Sequence, residues 1–271
     1  MENKKLSCAV VGAMGRMGQR ICHLLAEAPG FMIAGAVENA ASGVIGKSLR
    51  DAIGLGGTDA VVTDGLAAIQ HHFDVIIDFT FPEVSLQTAR FVSAAKKPAV
   101  IGSTGFSAQQ MQELKKLSAA FPCVCAPNMS MGVNTLFKLV RDVAVILREG
   151  FDVEVMEIHH RHKKDAPSGT AARIAQILAD AYGWDLARTG VYQRKGIIGE
   201  RKREEIGIQT LRAGDVVGEH TVLFAGTGER LELVHRAQSR DCFAQGALYA
   251  AQWILRQPDG LYDMQDVLGL K

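Results

Sequence analysis

Leu6-Ser7-Cys8-Ala9-Val10-Val11-Gly12-Ala13-Met14-Gly15-Arg16-Met17-Gly18 is the stretch on which the reading of this chain turns. Leu6 to Val11 is a short run of small and β-branched residues closed by glycine, the pattern of a parallel strand buried on both faces. Beyond it Met17, Ile21, Leu24, Leu25 and Ala28 recur at helical spacing on one face. Pro29-Gly30 ends that helix, and Met32 to Val37 predicts a second strand ending at Glu38, so the first 38 residues read as a βαβ unit. Gly12, Gly15 and Gly18 form G-x-x-G-x-x-G, a spacing variant of the dinucleotide fingerprint. Such glycines let the backbone turn tightly and approach a pyrophosphate, whose charge then rests on the positive end of the helix. Glu38 lies 20 residues beyond Gly18, where a carboxylate can accept hydrogen bonds from the adenosine ribose. The same charge opposes a 2′-phosphate and favours NAD over NADP. Asn39 adds no compensating charge, although Arg16 or Lys47 can. Close strand–helix packing alone is the plainer reading of the glycines.

Beyond this unit, strands are predicted at Ala60–Thr63, Val75–Thr80, Ala99–Ser103 and Cys123–Ala126, with helices from Pro82 and after Ser107. Strands alternating with helices imply a Rossmann-like parallel sheet covered on both faces. Gly102-Ser103-Thr104-Gly105 and Ala126-Pro127-Asn128-Met129 each follow a strand, at the carboxyl edge where nucleotides bind, and are candidate walls for the nicotinamide. The pattern changes after Asn128: a helix over Gly132–Arg148, a strand at Val153–His159, a helix over Ser168–Tyr182, then strands at Ile206–Leu211, Val216–Phe224 and Leu231–Ala237. Short turns at Arg212–Asp215 and Ala225–Arg230 predict a second, α+β domain with a mixed or antiparallel sheet. A last apolar helix, Phe243–Leu255, precedes a short tail.

Composition bounds the function. The chain has 271 residues, 48% of them hydrophobic, with 30 basic against 29 acidic side chains, enough for two domains and without bias toward disorder. A net charge of +1 offers no whole-molecule field for nucleic acid or an anionic membrane, so neither is expected as a partner. Five cysteines without a C-x-x-C indicate neither a disulfide framework nor a zinc ribbon and point to a reducing cytoplasm. Lys4 and Lys5 before Leu6–Val11 resemble the start of a secretory signal, but the apolar run is too short and Arg16 and Arg20 follow at once.

Glu157-Ile158-His159-His160-Arg161-His162-Lys163-Lys164-Asp165-Ala166-Pro167-Ser168-Gly169-Thr170-Ala171 carries the chemistry. Six consecutive cationic or imidazole side chains, His159 to Lys164, stand at the end of an apolar strand, and their mutual repulsion calls for a polyanionic guest. Ser168-Gly169-Thr170 opens a helix whose free N–H groups and hydroxyls can hold a carboxylate or phosphate oxygen. A zinc site from His159, His160 and His162, a nucleic-acid patch and a solvated basic loop are the competing readings; no metal is expected, because neighbouring cations disfavour a dication. Cations around His159 disfavour its protonated form, so it can exchange a proton near neutrality, and Lys163 can hold a developing anion or give up a proton.

With both motifs in view the sequence resembles the 4-hydroxy-tetrahydrodipicolinate reductases (dihydrodipicolinate reductases). The likeness rests on His159 to Ala171, Val11 to Gly18, Ile77-Asp78-Phe79-Thr80, Val100 to Phe106, Asn128 to Asn134, Arg212 to His220 and Leu261 to Met264, and so spans essentially the whole chain. It implies NAD(P)H-dependent reduction of 4-hydroxy-tetrahydrodipicolinate in the diaminopimelate route to lysine. It implies His159 as proton donor or acceptor, Lys163 as proton donor, and His160, Gly169 and Thr170 as holders of the substrate carboxylates. Gly12, Ala13, Met14, Gly15, Arg16, Met17, Glu38, Gly102, Ser103, Thr104, Ala126, Pro127, Asn128 and Met129 match its nucleotide contacts. It further implies a dinucleotide-binding domain of residues 1–130 and 241–271, a substrate-binding and oligomerisation domain of residues 131–240, and a homotetramer built through the sheet of the latter. Asn39 stands where NADPH-using members often carry arginine, which favours NADH, and Ser103 replaces a threonine while keeping the hydroxyl. A nucleotide-sensing protein without turnover and another two-domain dehydrogenase are the alternatives. The first predicts loss of a proton donor, and an acylating version of the second would use a thiol.

Overall fold

The computed structural model describes residues 4–69 and 72–271, and the chain divides into two compact units, Met1–Met131 with Arg240–Lys271, and Gly132–Ser239. In chain order the elements are β1 (Leu6–Val11), α1 (Arg16–Glu27), β2 (Phe31–Val37), α2 (Leu49–Ile53), β3 (Val62–Thr63), β4 (Val75–Asp78), α3 (Pro82–Ala95), β5 (Ala99–Ile101), α4 (Ala108–Leu117), β6 (Pro122–Cys125) and α5 (Met131–Ile146). They continue with β7 (Asp152–His159), α6 (Gly169–Tyr182), α7 (Leu186–Thr189), β8 (Gly190–Val191), β9 (Ile206–Arg212), β10 (Gly218–Gly226), β11 (Glu229–Ala237), α8 (Asp241–Ile254), β12 (Gly260–Tyr262) and α9 (Met264–Val267).

In the first unit, the described residues form a seven-stranded sheet in the order β12-β6-β5-β4-β1-β2-β3, parallel at every pairing. Alternation along each strand feeds two cores. Cys8, Val10, Val75, Ile77 and Val100 join α1 and α8 on one face, while Ala9, Val11, Ile76, Ala99 and Ile101 join α3 and α4 on the other. Chain order reverses between β1 and β4, so the loops after these strands part there and leave a crevice for a ligand.

The second unit is a five-stranded mixed sheet in the order β11-β10-β7-β9-β8. β7 runs antiparallel to β10 and parallel to β9. Val153, Val155, Ile206, Ile208, Val222 and Phe224 pack one sheet face against α5 and α6. Among the described residues no helix is long and apolar enough to cross a membrane.

The structure differs from the sequence reading at element ends and in five short elements that the reading did not expect, α2, α7, β8, β12 and α9. Strands expected to run to Thr80 and Ser103 stop at Asp78 and Ile101, because the residues beyond turn their polar groups onto one another. The segment expected from Ala60 pairs only at Val62–Thr63, with Val61 in an isolated bridge to Ser48. The expected short tail is instead β12, which adds the edge strand beside β6, and α9, whose Met264 and Val267 are buried. Three residues are too few to show strand periodicity, and Asp263 closes a capping box that the sequence reading overlooked.

Candidate active site

The glycine turn follows β1. Gly12 has φ 74°, which favours glycine, and a Cβ there would meet Thr80 Cγ2. A Cβ on Gly18 would run into the Gly12 carbonyl and the Ala13 Cα, so this glycine is what lets α1 approach β1. Gly15 caps α1 with no side-chain hydrogen bond, and no acidic residue occupies the first turn. The positive helix end, with its first N–H groups, therefore remains available to a phosphate. Glu38 closes the turn from the end of β2: its Oε2 accepts from the Met14 N–H at 2.8 Å and its Oε1 from the Asn39 N–H at 2.9 Å. The carboxylate thus braces the turn, and its remaining lone pairs are free in stereochemical terms to accept ribose hydroxyls. Gly12, Ala13, Met14, Gly15, Arg16, Met17 and Glu38 are brought together as one cradle, with Gly15 and Arg16 exposed.

Two more candidate walls share that carboxyl edge. A Cβ on Gly102 would enter the ring of Phe79. Ser103 is buried and turned inward, where its hydroxyl accepts from the Thr80 N–H at 3.0 Å and meets Ser85 Oγ at 2.7 Å. Its hydroxyl ties the loop after β5 to the loop after β4, and Thr104 is the exposed hydroxyl of the pair. Asp78, wholly buried, accepts from Thr80 Oγ1 at 2.6 Å, and burial pushes its carboxyl up. Ala126 and Met129 are buried and Pro127 is exposed, while Asn128 Oδ1 accepts from the Ser130 N–H at 2.9 Å. Gly246 on α8 admits the Met129 carbonyl against the helix axis.

In the second unit, the face of β7 that carries Val153 and Val155 continues as Glu157 and His159. Strand alternation places both on the core side, at the polar end of an apolar row. Glu157 has no exposed surface. A buried carboxylate is costly unless paired and fully hydrogen-bonded, and here donors surround it. Its Oε2 accepts from His159 Nδ1 at 2.5 Å and Arg212 Nη1 at 2.9 Å; its Oε1 accepts from the Ser168 N–H at 2.9 Å, Arg212 Nη2 at 3.1 Å and Thr210 Oγ1 at 3.3 Å. Although burial opposes ionisation, Arg212, His159 and Ser168 together hold the carboxyl below its usual range. Arg212 also reaches the Asp165 carbonyl at 2.6 Å and so pins the cationic loop to β9.

His159 is 8% exposed, with its pKa lowered first by burial and then by Lys163 and Arg212, against the raising effect of Glu157. Burial, rather than the neighbouring cations expected from the sequence, is thus the larger cause. The Nε2 side is opened by Gly218, whose missing Cβ would stand 3.0 Å from that nitrogen. His220 packs edge-on at 5.3 Å between ring centroids, pushed down to about 4 by burial and therefore neutral near pH 7.

The expectation that six crowded cationic groups require an external anion needs correction. The chain supplies two carboxylates itself: Glu157 for His159, and Asp165, which takes Lys163 Nζ at 2.9 Å. Arg161, His162 and Lys164 are exposed rather than gathered with them. The Ser168 hydroxyl is likewise committed, accepting from the Ala171 N–H at 3.2 Å as the cap of α6 and bonding His220 Nε2 at 3.1 Å. Gly169 is exposed, Thr170 and His160 are half-buried, and all three lie beside the loop that carries Lys163. Among the described residues no three His, Cys, Asp or Glu side chains are grouped to hold a metal ion.

Sequence reasoning assigned no role to Glu157, Arg212, Asp165 or His220. The i, i+2 spacing of Glu157 and His159 on a strand was a usable signal. Arg212 opens a stretch that carries the family likeness, but only the register pairing it with His159 shows which carboxylate it meets.

The chain is similar to known proteins along nearly its whole length. The sequence pattern described as "Dihydrodipicolinate reductase, N-terminus" matches residues 6–129, and that described as "Dihydrodipicolinate reductase, C-terminus" matches residues 132–268. The 4-hydroxy-tetrahydrodipicolinate reductase of Syntrophobacter fumaroxidans is 54% identical over 97% of this chain and 98% of its own length. That of Syntrophus aciditrophicus is 52% identical over 98% and 99%. Among solved structures, a dipicolinate-bound dihydrodipicolinate reductase from Paenisporosarcina sp. TG-14 shares the fold, with a TM-score of 0.77 at 24% identity over 97% of this chain and 98% of that one.

Proposed function

Since the chain belongs to the dihydrodipicolinate reductase family, we propose the following reading of how its two units divide one reaction. The protein is an oxidoreductase that reduces 4-hydroxy-tetrahydrodipicolinate to tetrahydrodipicolinate with NAD(P)H, on the diaminopimelate route to lysine. The substrate gains a hydride and a proton and loses water. A reduced nicotinamide dinucleotide, when bound, supplies the hydride.

The first unit holds the coenzyme. Gly12 to Met17 and the uncapped start of α1 take the pyrophosphate, Glu38 takes the adenosine ribose, and Gly102 to Thr104 with Ala126 to Met129 flank the nicotinamide. Support comes from the glycine turn: Gly12 has a positive φ and a Cβ there would meet Thr80, while a Cβ on Gly18 would press on the Gly12 carbonyl, so both glycines keep the uncapped start of α1 tight against the end of β1. Because Ala126 and Met129 are buried and the Ser103 hydroxyl is committed, these three contribute backbone groups. NADH is the preferred coenzyme, since Glu38 opposes a 2′-phosphate and Asn39 brings no cation.

The second unit holds the substrate and its proton. His160, Gly169 and Thr170 bind the ring carboxylates, the last two through the N-terminal turn of α6. Lys163 exchanges Asp165 for the incoming dianion and donates the proton, and His159 gives or takes one. The observation that carries this assignment is Glu157, a fully buried carboxylate whose five hydrogen bonds fix His159 and, through Arg212, the loop bearing Lys163.

The assembly is a homotetramer built on the second sheet. The helices cover one face, and on the other Met156, Leu211 and Val234 are each more than 40% exposed, an apolar surface of the kind that marks a protein interface. The five free cysteines fit a reducing cytoplasm. The experiment is to mix purified protein with the condensation product of pyruvate and aspartate semialdehyde. The expected result is substrate-dependent loss of reduced-nicotinamide absorbance, faster at limiting NADH than at limiting NADPH. Absence of turnover with either coenzyme would overturn the reading.

A further inference from the structure

We infer that Glu157 is the positioning residue for proton transfer: it fixes the His159 ring with the proton on Nδ1, so that Nε2, in the space kept open by Gly218, is the nitrogen that exchanges a proton with the reactant. The inference rests on the proposed role of His159 and deepens it. An ionised carboxylate only accepts hydrogen bonds, so the short contact to Nδ1 places the proton on that nitrogen. A neutral imidazole then carries its lone pair on Nε2, and the second partner of the ring sets which nitrogen works. Three features keep Glu157 an acceptor. Arg212 meets both of its oxygens, the Ser168 N–H and Thr210 hydroxyl point at it, and α6 begins at its side.

Space on the Nε2 side is also arranged. Gly218 is the first residue of β10, and a Cβ there would crowd Nε2. Every charged or titratable group packed around the ring has its part. Glu157 on β7 favours the protonated imidazole, and Lys163 in the loop and Arg212 on β9 oppose it. His220 on β10, with His235 behind it on β11, is pushed down by burial and adds no competing charge near neutrality. Asp165 partly neutralises Lys163.

Glu157→Gln tests the inference because the amide cannot satisfy all five donors. Three of them converge on Oε1 and two on Oε2. The glutamine oxygen therefore takes the Oε1 position, leaving the NH2 group facing His159 Nδ1, which must then accept, and the ring proton moves to Nε2. Nitrogen-15 spectra of histidine-labelled protein are expected to show the Nδ1–H form for His159 in the native chain and the Nε2–H form in Glu157→Gln. With that change, kcat is expected to fall on the order of 10²-fold, at the low end of losses for acid–base groups, while the substrate KM moves less than about threefold. The acid limb of the kcat/KM profile moves to lower pH, since the anion that favours imidazolium is gone. A purely structural role for Glu157 would move neither the tautomer nor the limb.

An Nε2–H form in the native protein overturns the inference even if Glu157→Gln does not fold. If His159→Gln is slow but Glu157→Gln keeps the native tautomer and profile, the role of His159 stands and that of Glu157 fails. If His159→Gln turns over at the native rate, both fail.

Discussion

Replacing Arg212 with methionine is expected to unbalance the second unit in a pH-dependent way. The native guanidinium, mostly buried, meets both oxygens of a carboxylate that has no exposed surface. Methionine roughly keeps the apolar stem but leaves that carboxylate with a histidine, a backbone N–H and a hydroxyl. Removing one partner of a buried ion pair costs about 3–5 kcal/mol. At about 4 °C per kcal/mol for a domain near 100 residues, the second unit should melt roughly 12–20 °C lower at neutral pH. The sign with pH follows from linkage. Native Glu157 sits below its usual range, so it contributes stability above the unfolded carboxylate value and loses it as pH falls through the folded one. In the variant, burial acts without Arg212 and raises the Glu157 value, so the folded state takes up a proton more readily and the deficit shrinks on acidification. Thermal melts of both proteins between pH 5 and 8, followed by circular dichroism, read this directly. Equal melting at pH 7.5, or a deficit that grows toward pH 5, would show that Arg212 does not hold Glu157 ionised in the folded unit.

Gly18→Ala gains about 1 kcal/mol of helix propensity but pushes a methyl into the backbone of Gly12 and Ala13, for a net loss of about 2 kcal/mol and weaker coenzyme binding; thermal melts and NADH titration check it. Glu38→Ala removes a charged acceptor that also braces the Met14 and Asn39 N–H groups, so NADH binding should weaken about 10- to 100-fold and NADPH binding less. Fluorescence titration with each coenzyme measures both. Met156→Glu charges the uncovered sheet face and should lower the oligomer mass seen by light scattering, with the second unit still folded by circular dichroism.

The two sheets were legible because their signals are local. Leu6–Val11, Gly12 to Gly18 and Glu38 announce a strand, a turn and a second strand end within 33 residues, and the structure brings all three into one cradle. β12 was not legible, since three residues beside β6 depend on contacts with a distant strand. The same division runs through the site. His159 and Lys163 stand out as charge in a row, yet which charges are buried, exposed or paired is decided by strand alternation and register. Hence the six-residue cationic run read as one cluster, whereas Glu157, Asp165 and Arg212 partition it. Ser103 shows the same limit: its hydroxyl is legible as a residue type, but its inward turn onto Ser85 and Thr80 is tertiary.

The division of labour between the units is tested most directly by measuring, on one preparation of Lys163→Ala, both turnover and the NADH dissociation constant. In this variant kcat should fall by about 10²–10⁴, the range for a lost proton donor, while NADH binds as tightly as to the native protein. Unchanged turnover, or loss of coenzyme binding in step with it, would contradict the assignment of coenzyme to the glycine cradle and of the proton to the histidine–lysine loop.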